Sequence, residues 1–340
     1  QPPDEIHLSK IRSEVPEVIH QNDSAALLDL GDGVALYEFR SKANTMGRAV
    51  VEGIVAAIDR VEQGDYLGLV IGNEGKHFSV GADLNEMMTL IREGRPDLME
   101  QLLLRFQAMI QRVHYAAKPV VVATQGRVLG GGCELTMACP NPVAAAESYL
   151  GLVELAVGLV PAGGGSMRTA VLAHEHAPTE NPGHIQPYLK KMFETIALAK
   201  VSGSAHQAQE YGFLSPGAPI VMDTDRRLFV AKEEVIRLSN QGYTPPPVRN
   251  AIQVLGRPGR APFEVAAYTM LKGRHATEYD RYLAGRLAYV LTGGDLTAPA
   301  WVHEDYLLGL EREVFLSLLG EEKTRERIAS ILQTNRPLRN

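Results

Sequence analysis

The sequence is poor in several features that would narrow its role by composition alone. It has two cysteines in 340 residues, Cys133 and Cys139, six positions apart on one expected helix, where they point to different faces and make a poor disulfide. Buried thiols are therefore expected, with no redox framework. There is no excess of positive charge: the formal net charge is -6, so no basic field is available for nucleic-acid phosphates or an anionic membrane. No uninterrupted apolar run reaches about 18 residues, and no charged-then-apolar leader opens the chain, so neither a membrane span nor a secretion signal is expected. A cytoplasmic location is the expectation. No methionine precedes Met46, which reads as a processed product or a piece of something longer.

Several familiar motifs also fail on spacing. A dinucleotide fingerprint counted from Gly130 requires glycine at 135, where Leu135 stands. A P-loop ending at "EGKHF" would need glycine at 70 and Ser or Thr at 77, and the residues are Val70 and His77. The "GGSMR" stretch puts Arg168 where a nucleophile elbow around Ser166 needs its last glycine. His174, Glu175 and His176, with His184 downstream, lack H-E-x-x-H spacing and have no cysteine pair nearby, so a solvated loop is expected and no metal site.

What is present suits a globular chain of about two domains' length, with 45% hydrophobic and 22% charged residues. Residues 1–24, with prolines and charges but no sustained periodicity, read as a tether. "ALLDLGDGVALYEF" offers two short strands around a Gly-Asp-Gly turn, and Val51, Ile54, Val55 and Ile58 share one helical face. "YLGLVIGNEG" and "KPVVVATQG" read as strands buried on both faces, and Pro96 marks a break in a long helical stretch. From about residue 187 the pattern is helical. The charge pairs of the last helix, such as Glu322 with Arg325 or Glu326, describe a solvated face.

Backbone chemistry survives this elimination. The "VLGGGCELTMAC" stretch places Gly130, Gly131 and Gly132 between a strand and an apolar helix, leaving N–H groups unshielded where a developing oxyanion could sit. A second such turn occurs in "GKHFSVGADLNEM", where Gly81 precedes Ala82 and Asp83 at the opening of another helix. Two turns can aim two donors at one carbonyl. Glu134 lies three residues past Gly131, and Glu154, twenty residues on in "YLGLVELAVG", is the second carboxylate in an apolar context.

Together, "HFSVGADL", "KPVVVATQGRVLGGGCEL" and "SYLGLVELAVGLVPAGGG", in this order, resemble the crotonase, or enoyl-CoA hydratase/isomerase, superfamily over roughly residues 27–240. The resemblance implies an α/β fold: a crotonase-like ββα spiral at 25–195 with a helical C-terminal region at 196–340. It implies backbone N–H groups of Ala82 and Gly131 holding a thioester oxygen, with Glu134 activating water and Glu154 protonating Cα of a trans-2-enoyl-CoA. Phe78, Val80, Gly81, Asp83 and Gly130 are the implied substrate-contacting positions. No metal and no bound cofactor are implied, because the acyl-CoA thioester is the substrate.

The chain departs from the family pattern in three places. Residues 170–187 are longer than usual, Asn85 stands where many relatives carry lysine, and residues from about 247 to 340 extend past an ordinary domain. The extension and the tether-like start look like the C-terminal half of a bifunctional 3-hydroxyacyl-CoA dehydrogenase/enoyl-CoA hydratase. NAD and a dehydrogenase partner domain are implied only upstream of this chain. Homo-oligomerisation stays open, since family trimers use terminal helices that are extended here. The alternatives are a Δ3-Δ2-enoyl-CoA isomerase, which needs one carboxylate, and a non-catalytic acyl-CoA-binding or docking module.

Overall fold

A computed structural model of the protein describes residues 5–14, 20–22, 24–178 and 181–340. The strands are β1 (His20–Asn22), β2 (Ala25–Asp29), β3 (Val34–Phe39), β4 (Gly68–Gly72), β5 (Val120–Leu129), β6 (Val143–Gly151), β7 (Ile220–Val221), β8 (Ile252–Val254) and β9 (Ala300–Val302). The first helices are α1 (Leu8–Glu14), α2 (Arg48–Gln63), α3 (Leu84–Arg92), α4 (Pro96–His114), α5 (Gly131–Ala138), α6 (Gly165–His176) and α7 (Pro182–Ala197). The remainder are α8 (Ala205–Tyr211), α9 (Arg227–Asn240), α10 (Gly256–Lys272), α11 (Glu278–Leu291), α12 (Glu304–Leu319) and α13 (Glu322–Thr334). No helix among the described residues is long and apolar enough to cross a membrane.

The chain divides into two compact units, neither continuous in sequence. Gln1–Asp83, Ala108–Gly151 and Val201–Val248 make the first, and Leu84–Gln107, Leu152–Lys200 and Arg249–Asn340 make the second. Helices α8 and α9 return to the sheet, whereas α6 and α7 pack with the C-terminal helices.

In the first unit, β1 to β7 form one sheet in sequence order. The β1–β2 and β2–β3 pairs are antiparallel and those from β3 to β7 are parallel. Each residue of β4 is buried, as the unbroken apolar run "GLVIG" requires of a parallel strand covered on both faces. One face packs Leu36, Val70 and Val121 against Leu228, Ala231 and Val235 of α9. Next to β3, helix α2 approaches so closely that a Cβ on Gly53 would stand 2.2 Å from the Tyr37 hydroxyl, which donates to Val50 O at 2.9 Å.

The segment expected to be a tether is in part folded. Residues Leu8–Glu14 are helical, Leu8 is fully buried in the same core, and Glu74 accepts from its amide at 2.6 Å. A seven-residue helix with one such anchor carries too little periodicity to be visible in sequence. The remainder of that segment, residues 1–4, 15–19 and 23, lies outside the described residues.

In the second unit, α6, α7, α10, α11, α12 and α13 pack together beside the antiparallel β8–β9 pair. The "PAGGG" glycines form the N-terminus of α6, where Gly164 adopts φ +101°. That positive end is filled from within: the fully buried Glu311 carboxylate of α12 accepts from Gly164 N at 2.8 Å and Met167 N at 2.5 Å. The His174–His176 cluster is no loop either, because it forms the last turn of α6. His174 meets the Trp301 ring edge-on at 5.5 Å, Glu175 pairs with Arg249, and His176 Nδ1 bonds Leu172 O at 2.7 Å. Aromatic packing and a salt bridge, neither legible in the local polarity, hold this end of the helix. The longer 170–187 segment is largely helical, ending α6 and starting α7 at an Asn181 cap.

Candidate active site

The first turn is laid along the end of β5. Phe78 N donates to Gln125 O at 2.9 Å, Ser79 N to Arg127 O at 3.1 Å, and Leu129 N returns to Ser79 O at 3.0 Å. The chain then reverses at Gly81, whose φ of +101° suits glycine and strains any other residue. The Ser79 hydroxyl braces the turn by accepting from Gly81 N at 3.2 Å.

The second turn is the start of α5, and the two turns lie against each other. A Cβ on Gly81 would stand 3.1 Å from Leu129 O and 3.6 Å from Gly131 N. On Gly132 it would stand 2.7 Å from the Ser79 Cβ, closer than carbon atoms pack. Gly130 needs its φ of +51° to swing from strand to helix. The three consecutive glycines thus answer separate demands: a left-handed turn at 130, access to the N–H at 131, and close approach at 132.

Hydrogen bonds orient both candidate donors. Carbonyl and N–H of one trans peptide point in opposite directions. Gly81 O accepts from Met46 N at 2.9 Å, so the Ala82 N–H of the same peptide points away from Met46. Gly130 O accepts from Glu134 N at 2.9 Å, the first bond of α5, so the Gly131 N–H points out of the helix end. Gly130 N itself is tied to Gly151 O at 2.9 Å, fixing the helix start to the end of β6.

Glu134 sits in the first turn of α5 and is only 5% exposed, on a helix whose every residue is buried. A carboxylate there is favoured by the helix dipole. Ala82, Gly130, Gly131 and Glu134 are therefore brought together in the first unit. Glu154 belongs to the second unit, where it opens a 3-10 turn, Glu154–Val157, closed by Gly158 in the left-handed region. Val80 and Asp83 are half-buried beside Gly81 in sequence. The Phe78 side chain is fully buried and packs edge-on against Phe39 at 5.3 Å. The two cysteines are buried and form no disulfide with each other, and burial pushes the Cys139 thiol up to about 12.

Residues 30–177 match the enoyl-CoA hydratase/isomerase family model. This segment belongs to the crotonase family. The enoyl-CoA hydratase/isomerase domain and its extension are together 40% identical over 337 residues to a Bacillus subtilis (strain 168) protein described as a probable 3-hydroxyacyl-CoA dehydrogenase. That match covers 98% of this chain and 41% of the relative, so the chain spans less than half of that protein's length. A probable enoyl-CoA hydratase of the same organism is 35% identical over 127 residues, covering 37% of this chain and 48% of the relative. The crystal structure of an enoyl-CoA hydratase from Bacillus halodurans superposes with a TM-score of 0.59 at 13% identity, covering 91% of this chain and 100% of that one, which establishes the shared fold.

Within the crotonase domain, two positions that orient the site escaped the sequence reading. Ser79 and Met46 act on the Gly81 turn through a side-chain oxygen and a backbone N–H, and Met46 offers no sequence signal because any residue but proline carries that N–H.

Proposed function

We propose that the chain hydrates trans-2-enoyl-CoA thioesters to 3-hydroxyacyl-CoA. Adding hydroxide at Cβ pushes charge onto the thioester oxygen, and the Ala82 and Gly131 N–H groups receive it, each such donor contributing about 3 to 4 kcal/mol to the transition state. Glu134 takes a proton from water as the Cβ–O bond forms, and Glu154 delivers a proton to Cα as the enolate collapses. The proton taken up by Glu134 then passes to Glu154 and restores its acid form, so the net addition is one water and the reaction requires no bound cofactor.

The observation that carries this reading is the pair of peptides whose carbonyls are occupied by Met46 N and Glu134 N, leaving both N–H groups directed away, with Glu134 buried one turn into the same helix. The product is the substrate class of a 3-hydroxyacyl-CoA dehydrogenase, and a relative matched over 98% of this chain is described as a probable one. Fatty-acid β-oxidation in the cytoplasm, beside a dehydrogenase partner domain, follows from this reading.

The test is incubation with a four-carbon trans-2-enoyl-CoA, following loss of the conjugated thioester absorbance and identifying the product by mass. Loss of absorbance with a gain of one water supports hydration. Conversion of a 3-enoyl-CoA without water addition, and no hydration of the 2-enoyl form, would assign the isomerase reaction instead. Inertness toward both would leave a binding module.

A further inference from the structure

The Glu154 turn is fastened by side chains from the last helix. Arg327 of α13 is 1% exposed, an expensive place for a guanidinium unless each arm is paired. Its Nη1 donates to Leu155 O at 3.1 Å, its Nε to Asn340 Oδ1 at 2.9 Å, and its Nη2 pairs with Asp280 Oδ1 at 2.8 Å. The Tyr279 ring lies beneath it, 5.1 Å from the guanidinium carbon. One helical turn earlier, Thr324 Oγ1 donates to Gly158 O at 2.6 Å. That uses its single hydroxyl proton, so in the 2.6 Å contact with Tyr279 the phenol is the donor. A Cβ on Gly158 would stand 2.7 Å from Thr324 Oγ1, so helix and turn are in direct contact.

The two carbonyls engaged belong to the residue after Glu154 and to the glycine that closes its turn. The turn itself carries short-range bonds, Ala156 N to Val153 O at 3.0 Å, Gly158 N to Leu155 O at 3.1 Å and Leu159 N to Glu154 O at 3.0 Å. A four-residue 3-10 turn has little stability of its own. A planar fork that reaches carbonyl, carboxylate and amide at once is a task lysine cannot perform.

We infer that Arg327 and Thr324 are positioning residues that hold the Glu154 turn in the geometry proton delivery requires. This rests on the hydratase reading, in which Glu154 protonates Cα. The C-terminal helix then belongs to the catalytic apparatus although it touches no substrate.

The test compares Arg327→Lys, Thr324→Val and Thr324→Ser with Val290→Ala, a control that opens a buried site at the far end of α11. Two quantities are read: hydrogen exchange of the 155–159 amides, and kcat and KM for hydration of the four-carbon enoyl-CoA. Arg327→Lys and Thr324→Val are expected to speed exchange there about tenfold. They should also lower kcat about tenfold or more with KM within about threefold, as misplacement of a reacting group does. Thr324→Ser, which keeps the hydroxyl, should restore both, and the control should change neither. Unchanged exchange in both clamp variants overturns the proposal, as does faster exchange with an unchanged kcat. If the wild type hydrates nothing while exchange still quickens, the hydratase reading has failed, and Arg327 is a structural clamp with no catalytic purpose.

Discussion

The glycine turns of the first unit, at Gly81 and Gly130, and the Glu154 turn of the second are fixed in contrasting ways. The Gly81 and Gly130 turns press backbone on backbone, and glycines permit the approach. The Glu154 turn is gripped from outside by side chains 166 and 172 residues further along the chain. Backbone approach demands a particular residue type at the point of contact, and a remote clamp leaves the clamped residues free to be almost anything. The first arrangement writes itself into the local sequence, and the second does not.

The sharpest way to break the comparison is Gly132→Ala. Its Cβ would meet the Ser79 Cβ at 2.7 Å, atoms with no flexible end to yield, so the two turns must part. Removing one well-aimed donor costs about 10²- to 10³-fold in turnover, and a loss of that size is expected in steady-state kinetics, with KM little changed. Ordinary turnover in this variant would mean that the two turns do not act together.

A smaller effect is expected at the other glycine cluster, where the anion is the chain's own. Glu311→Gln leaves one acceptor for two amides at the start of α6 and should lower unfolding stability by about 2 kcal/mol in urea titrations. The smallest effect belongs to a partly exposed clamp in the first unit. Arg112 donates to both Glu62 oxygens, and Ala117 N reaches the same carboxylate at 2.7 Å. The Arg112 hydrogen bond, opposed by desolvation and helped by the Ala117 amide, holds Glu62 below its ordinary 4.5. Because the folded value is the lower one, this group stabilises the fold above pH 4.5 and the contribution is lost as pH falls through the folded value. The stability gap between wild type and Glu62→Gln should be no more than about 1 kcal/mol at neutral pH and close as pH falls through the lowered folded value.

The same contrast explains what the sequence revealed. Periodicity and glycine spacing were enough for the strands around the Gly-Asp-Gly turn, the break before Pro96 and the glycine turns at 81 and 130. The solvated face of α13 was also correct, since Glu322, Arg325 and Glu326 are exposed. Its buried Thr324 and Arg327 were invisible, because a charged residue in a polar helix looks like surface until its partners are known. The His174–His176 turn was misread for the same reason. The division into units was hidden too, since α8 and α9 join the sheet through pairings distant in sequence.

The central claim is that two carboxylates, Glu134 and Glu154, share one hydration. The most direct measurement is kcat for the four-carbon enoyl-CoA in wild type, Glu134→Gln, Glu154→Gln and the double variant, with folding checked by circular dichroism. Each single change should lower kcat by about 10² or more, and the double change should lose far less than the product of the two, because groups acting as a unit are not additive. A single variant that turns over like wild type would contradict the two-carboxylate mechanism.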